Sequence, residues 1–197
     1  MFDVMSPITH FFAGWLVANL DDLNRRDRLL VTLAGIVPDL DGLGIVPDFL
    51  TRHSAQPLNW WSDYHHLFGH NLLFGLAAAS LGFAVATKRP LASLLILLTF
   101  HLHLLGDVVG GRGPDGYSWP IPYGWPFTAA WTWQWSGQWA LNASPNFVIT
   151  AFAIGLTLFL AVKRGFSPLE MVSPKADAVV VATLRRRFSK TGGSSNP

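Results

Sequence analysis

The chain has 197 residues, 50% of them hydrophobic and only 13% charged, with a net charge of +2 and a mean hydropathy of +0.32. A soluble domain carries about 25% charged residues, so this composition points away from a soluble globular class and toward a membrane protein of one domain. Nine tryptophans agree, since Trp favours the membrane interface, and the absence of cysteine excludes disulfides and thiolate metal sites.

The opening MFDVMSPITHFF lacks a basic n-region and reads poorly as a signal peptide. The first apolar segment, Pro7 to Leu20, is short and interrupted by His10. The second, Leu29 to Phe49, is broken by Pro38, Asp39 and Asp41, and Pro38 and Gly42 predict local unwinding around the two carboxylates. The third, His70 to Thr87, the fourth, Leu91 to Val109, and the fifth, Phe147 to Val162, approach the roughly 20 residues a helix needs to cross the hydrocarbon core. The fold expected is therefore all-α: a polytopic integral membrane helical bundle with about five transmembrane segments. The first two need neighbours to bury their polar groups.

Charge placement gives an orientation. Arg25, Arg26 and Arg28 follow segment one, Lys88 and Arg89 separate three and four, and Lys163 and Arg164 follow five. With Lys175, Arg185, Arg186, Arg187 and Lys190 in the tail, 12 of 14 basic residues fall on one side of a five-span arrangement. The positive-inside rule then sets the N-terminus outside and the C-terminus in the cytoplasm. The RRR cluster reads as an orientation signal, not a nucleic-acid site. Residues 1–167 are expected to form the membrane-embedded domain, and 168–197 a basic, partly disordered cytoplasmic tail ending in TGGSSNP. Two long external loops remain, 50–69 and 110–146. They hold most of the tryptophans and the Pro/Gly-rich run GRGPDGYSWPIPYGWPF. The loop stretch WTWQW reads as a short strand or an interfacial segment.

The metal-type ligands all fall in the outward half of that arrangement: His10, Asp39, Asp41, His65, His66, His70, His103 and Asp107. His66 and His70 are four residues apart, as are His103 and Asp107, the spacing that puts two side chains on one helix face. Ionisable groups inside an apolar span are costly and mark functional sites by default. His101 points to a different face of its helix and reads as structural, and His53 as a surface residue.

These motifs, in this order, resemble the YdjM-like family of predicted membrane-bound metal-dependent hydrolases. The resemblance rests on His10 with Ala13 and Gly14, then Pro38, Asp39 and Asp41, His65 to His70, His103 and Asp107, and Trp119 with Pro120, spanning roughly residues 5 to 125. His66 stands where that family usually has Arg.

The expectation is a metal-dependent hydrolase of a bacterial-type inner membrane with an outward-facing site. Its metal ligands would be His10, Asp39, Asp41, His65, His70, His103 and Asp107, with His66 as catalytic residue or a further ligand. Hydrolytic zinc keeps about three protein ligands, so a set of this size suits two ions. The N/O donors suit Zn²⁺, with Mn²⁺ or Fe²⁺ as alternatives. The partners expected are the bilayer and an amphiphilic ester or phosphodiester, with no nucleic acid. The alternatives are a metal-transport or metal-handling protein, and a scaffold with a structural metal.

Overall fold

A computed structural model describes residues 7–113 and 116–189; the opening MFDVMS and the closing TGGSSNP lie outside the described residues. The described chain forms α1 (Pro7–Ala18), α2 (Arg25–Leu33), α3 (Ile45–Thr51), α4 (Trp60–Tyr64), α5 (Leu72–Val85), α6 (Arg89–Gly110), α7 (Ser144–Arg164) and α8 (Pro174–Ser189). Two 3₁₀ segments, Pro38–Gly44 and Pro168–Met171, join them. No strand occurs among the described residues. The WTWQW stretch contributes a single antiparallel bridge, Trp133 to Ile121.

The helix limits follow from local chemistry. Asn24 and Asn71 cap α2 and α5 by accepting the amides of Asp27 and Phe74. Pro90 and Pro145 sit in the first turns of α6 and α7, where no amide is needed. Gly165 ends α7 in the left-handed region at φ 89°.

Helices α6 and α7 are long and apolar enough to cross a membrane, and a third span results if α2 and the bent 51° continuation Pro38–Thr51 count as one. The apolar α1 and α5 have 12 and 14 residues. That is about 18 and 21 Å of helix, short of the roughly 30 Å hydrocarbon core. The core joins α1, α2, α5 and α6 through Val17, Ala18, Val31, Ala79, Leu95 and Ile96. Large apolar residues such as Leu94, Leu98, Phe152 and Phe159 face outward from α6 and α7, as lipid-facing residues do.

One end of the bundle gathers the cations. The Arg28 guanidinium donates to both Glu170 oxygens at 2.7 and 2.8 Å and lies 3.9 Å over the Phe166 ring. Fully buried Asp27 accepts the amides of Thr87 and Lys88. Lys88 pairs with Asp21, and Arg25 donates to the Met171 carbonyl. The basic tail therefore begins as ordered structure, with Glu170, Asp177 and Val181 buried. Asp107 lies about 27 Å along α6 from Arg89, at the opposite end.

Candidate functional site

His103 and Asp107 share one face of α6, and His103 Nε2 lies 3.1 Å from Asp107 Oδ2. His103 Nδ1 lies 2.8 Å from the Gly35 carbonyl. A carbonyl only accepts, so Nδ1 carries the proton and Nε2 presents a lone pair inward. Gly35 also lets α1 pass close by: a Cβ there would lie 2.5 Å from the His10 carbonyl. His101 faces elsewhere, bonded to the Leu97 carbonyl at 2.7 Å and the Tyr123 hydroxyl at 2.8 Å. His53 is exposed beside Arg52.

The stretch His65 to His70 corrects the shared-helix-face reading of His66 and His70. It is a tight loop between α4 and α5, and His66 sits at φ 70°, a conformation rare outside glycine. Buried Asn71 ties the loop down by donating to the carbonyls of Leu67 and Phe68 while capping α5. Gly69 passes so close to the Pro38 carbonyl that no side chain fits, and its amide donates to Asp41 at 3.0 Å. The same carboxylate bonds His65 Nδ1 and His70 Nδ1, each at 3.0 Å. Asp41 thus orients two imidazoles, the arrangement by which carboxylates fix metal-binding histidines.

With its Nδ1 held by Asp41, His70 turns Nε2 toward His103 Nε2, 3.1 Å away. Two imidazole nitrogens in this orientation repel unless a proton or a metal cation lies between them. Asp107 Oδ2 is 3.4 Å from His70 Nε2 and Asp39 Oδ1 is 3.5 Å from His103 Nε2. On the other side, His10 Nε2 lies 3.2 Å from Asp107 Oδ1. Ligand atoms about 2.0–2.1 Å from a tetrahedral zinc stand roughly 3.3–3.4 Å from one another, so these spacings fit a metal centre. The buried Asp39 Oδ2 and Asp107 Oδ2 also lack hydrogen-bond partners among the described residues, as open coordination positions would.

Three overlapping groups could each hold an ion: His10, His103 and Asp107; Asp39, His70 and His103; His66, His70 and Asp107. Asp41 and His65 belong to none of them among the described residues. Burial among neighbouring imidazoles, with His70 adding repulsion, holds His66 well below the ordinary imidazole pKa, so it is neutral at pH 7.

A pocket of about 390 Å³ opens beside the cluster, lined by Trp61, Asp63, His65, His66, Tyr117 and Trp119 among others. Trp61 stacks on His65 at 4.0 Å, and Trp119 stands perpendicular to His65 and His66 at 5.3 and 5.1 Å. The aromatic loop that carries Trp119 therefore supplies a wall of the candidate site. Sequence reasoning missed Trp61, Asn71, Gly35 and Gln138, which donates to the Asp107 carbonyl at 2.7 Å. Only Asn71 carried a signal, as an Asx residue opening an apolar run.

Fold and cluster together define an all-helical membrane protein with a buried His/Asp centre at one end of its bundle. The chain belongs to the YdjM inner membrane protein family, whose model matches residues 5–169. That match takes in α7, beyond the motifs that carry the resemblance. Comparison with curated proteins and with solved structures gives no significant match.

Proposed function

We propose that this inner-membrane protein is a metal-dependent hydrolase acting on an amphiphilic ester or phosphodiester. The observation that carries the reading is the facing pair His70 Nε2 and His103 Nε2, 3.1 Å apart with carboxylate oxygens alongside. His10, Asp39, His70, His103 and Asp107 would hold one or two divalent ions, with Zn²⁺ the first choice and Mn²⁺ or Fe²⁺ the alternatives. Asp107 offers one oxygen to each side of the cluster, which favours two ions. Asp41 and His65 stand behind the donors and orient them. Bound ions would supply Lewis acidity and an activated water. His66, neutral and with Nδ1 unpartnered among the described residues, lies between cluster and pocket, where it can take a proton from water or give one to a leaving group.

In the membrane, α1, the bent α2–α3 pair, α5, α6 and α7 would make five passes, α1 and α5 as shorter ones packed against α6. Residues 1–167 form the embedded domain and 168–197 the cytoplasmic tail, with the N-terminus and the cluster outside. Elemental analysis of the detergent-purified protein, with a turnover assay on ester and phosphodiester substrates before and after chelation, tests the reading. Bound metal with chelator-sensitive turnover is expected. Metal without turnover on any substrate would assign the protein to metal handling, and no metal at all would remove both readings.

A further inference from the structure

The 390 Å³ pocket beside the cluster has a composition of its own. Trp61, Trp119 and Tyr117 line it with the exposed carboxylate of Asp63, and no Lys or Arg lines it among the described residues. Trp61 and Trp119 meet edge to face at 63°, centroids 6.0 Å apart, so they form a corner and not a flat platform. An aromatic corner with one carboxylate beside it suits a weakly hydrated organic cation, attracted by the aromatic rings and by the acid. A sugar would need donors and acceptors around its whole ring, whereas beyond the two histidines the polar groups here are Ser62, Asp63 and the Tyr117 hydroxyl, set among Leu67, Pro120 and Pro122. An anionic group would meet a carboxylate with no Lys or Arg lining the pocket among the described residues to offset it.

The geometry points to this pocket as a site for the alkylammonium group of an amphiphile's headgroup. It rests on the hydrolase reading for its meaning: the ammonium would sit against Trp61, Trp119 and Asp63 while the scissile ester reaches the His/Asp cluster. Only one imidazole layer intervenes, since the His66 ring is 5.1 Å from Trp119 and 4.5 Å from His70. The substrate class would be lipids with choline-like or ethanolamine-like headgroups.

Binding can be read apart from turnover. Radiolabelled choline is dialysed to equilibrium against the full chain in a maltoside detergent, with and without chelator. Saturable choline binding that survives chelation is expected, weakened about tenfold or more by Asp63→Asn and by Trp119→Leu. The neutral isostere 3,3-dimethyl-1-butanol should displace choline at least about tenfold less well than tetramethylammonium does. Equal displacement by the isostere, displacement by glucose or inorganic phosphate, or undiminished binding in Asp63→Asn would overturn the assignment. Asp63 is exposed, so that variant folds even if Trp119→Leu does not. Choline binding without hydrolysis would keep the pocket and sink the hydrolase; chelator-sensitive hydrolysis without choline binding would do the reverse.

Discussion

Asp107 is where the site is most exposed to test, because burial leaves its charge dependent on its neighbours. Only 5% of it is exposed, and an unpaired carboxylate at that depth is costly. Asp107→Asn keeps the shape and removes the charge. Changing a group that merely orients a ligand costs about 10–100-fold in metal affinity, so loss of Asp107 should cost at least that and abolish turnover, while insertion and expression persist. His101→Gln, on another face of α6, should keep its metal; equal metal content in the two variants would refute the helical-face argument. Asp41→Asn tests the layer behind. It should weaken metal binding about 10–100-fold without removing a ligand, because one of the two oxygens that accept from His65 and His70 becomes an amide donor and one imidazole loses the partner that sets its orientation. Gly69→Ala should fail for a different reason: the added methyl meets the Pro38 carbonyl and forces the loop off the 3₁₀ segment. Its effect should appear as a lower thermal midpoint and lost metal together, and a variant with an unchanged midpoint would show that the loop adapts.

Legibility differed from element to element. The HxxxD of α6 was readable because helical periodicity alone places His103 over Asp107. The same arithmetic misled at His66 and His70, which share spacing but not a helix: their rings meet because Asn71, Gly69 and Asp41 fold a loop around them. Nothing in one sequence announces that a carboxylate from residue 41 will reach residues 65 and 70. Pro38 and Gly42 did announce the break in segment two, since proline and glycine act through the backbone. The lengths of α1 and α5 were overestimated because the apolar segments run past the helix ends, as the third does beyond Asn71 and Ala86 at the two caps of α5. The latch between α2 and Pro168–Met171 was invisible, as Arg28 read only as a topological charge. It makes a prediction at this scale. Arg28→Ala leaves Glu170 buried and unpaired, and should destabilise the fold by about 3–5 kcal/mol. The double variant Arg28→Met with Glu170→Leu should recover much of that loss, because two apolar side chains remove the stranded charge. Thermal unfolding in detergent of the single and double variants decides it; equal losses would mean the ion pair itself, and not the orphaned acid, supplies the stability.

The whole molecule is polarised, and its orientation in the bilayer decides which compartment the cluster serves. Arg28, Lys88 and Arg164 gather with Asp21 and Glu170 at one end of the bundle, and the His/Asp centre with its aromatic pocket occupies the other. The two ends are tied to one rigid ruler, α6, whose 22 residues run from Arg89 to Gly110. Moving a basic side chain to the centre of a membrane helix costs about 2.5–3.5 kcal/mol on insertion scales, and in the proposed five-pass arrangement 12 of the 14 Lys and Arg residues would fall on the cationic side. A reporter fused after Arg89 or after Arg164 should therefore read cytoplasmic, and one at Gly116 external. The Arg89 and Gly116 pair flanks α6, so opposite readings establish that helix as a span whatever α1 and α5 do. A cytoplasmic reading at Gly116 with an external one at Arg89 would invert the molecule, and the pocket would then take its headgroup from the inner leaflet. Identical readings at both positions would mean that α6 does not cross, and would remove the separation of a cytoplasmic charged end from an external site on which the proposed function depends.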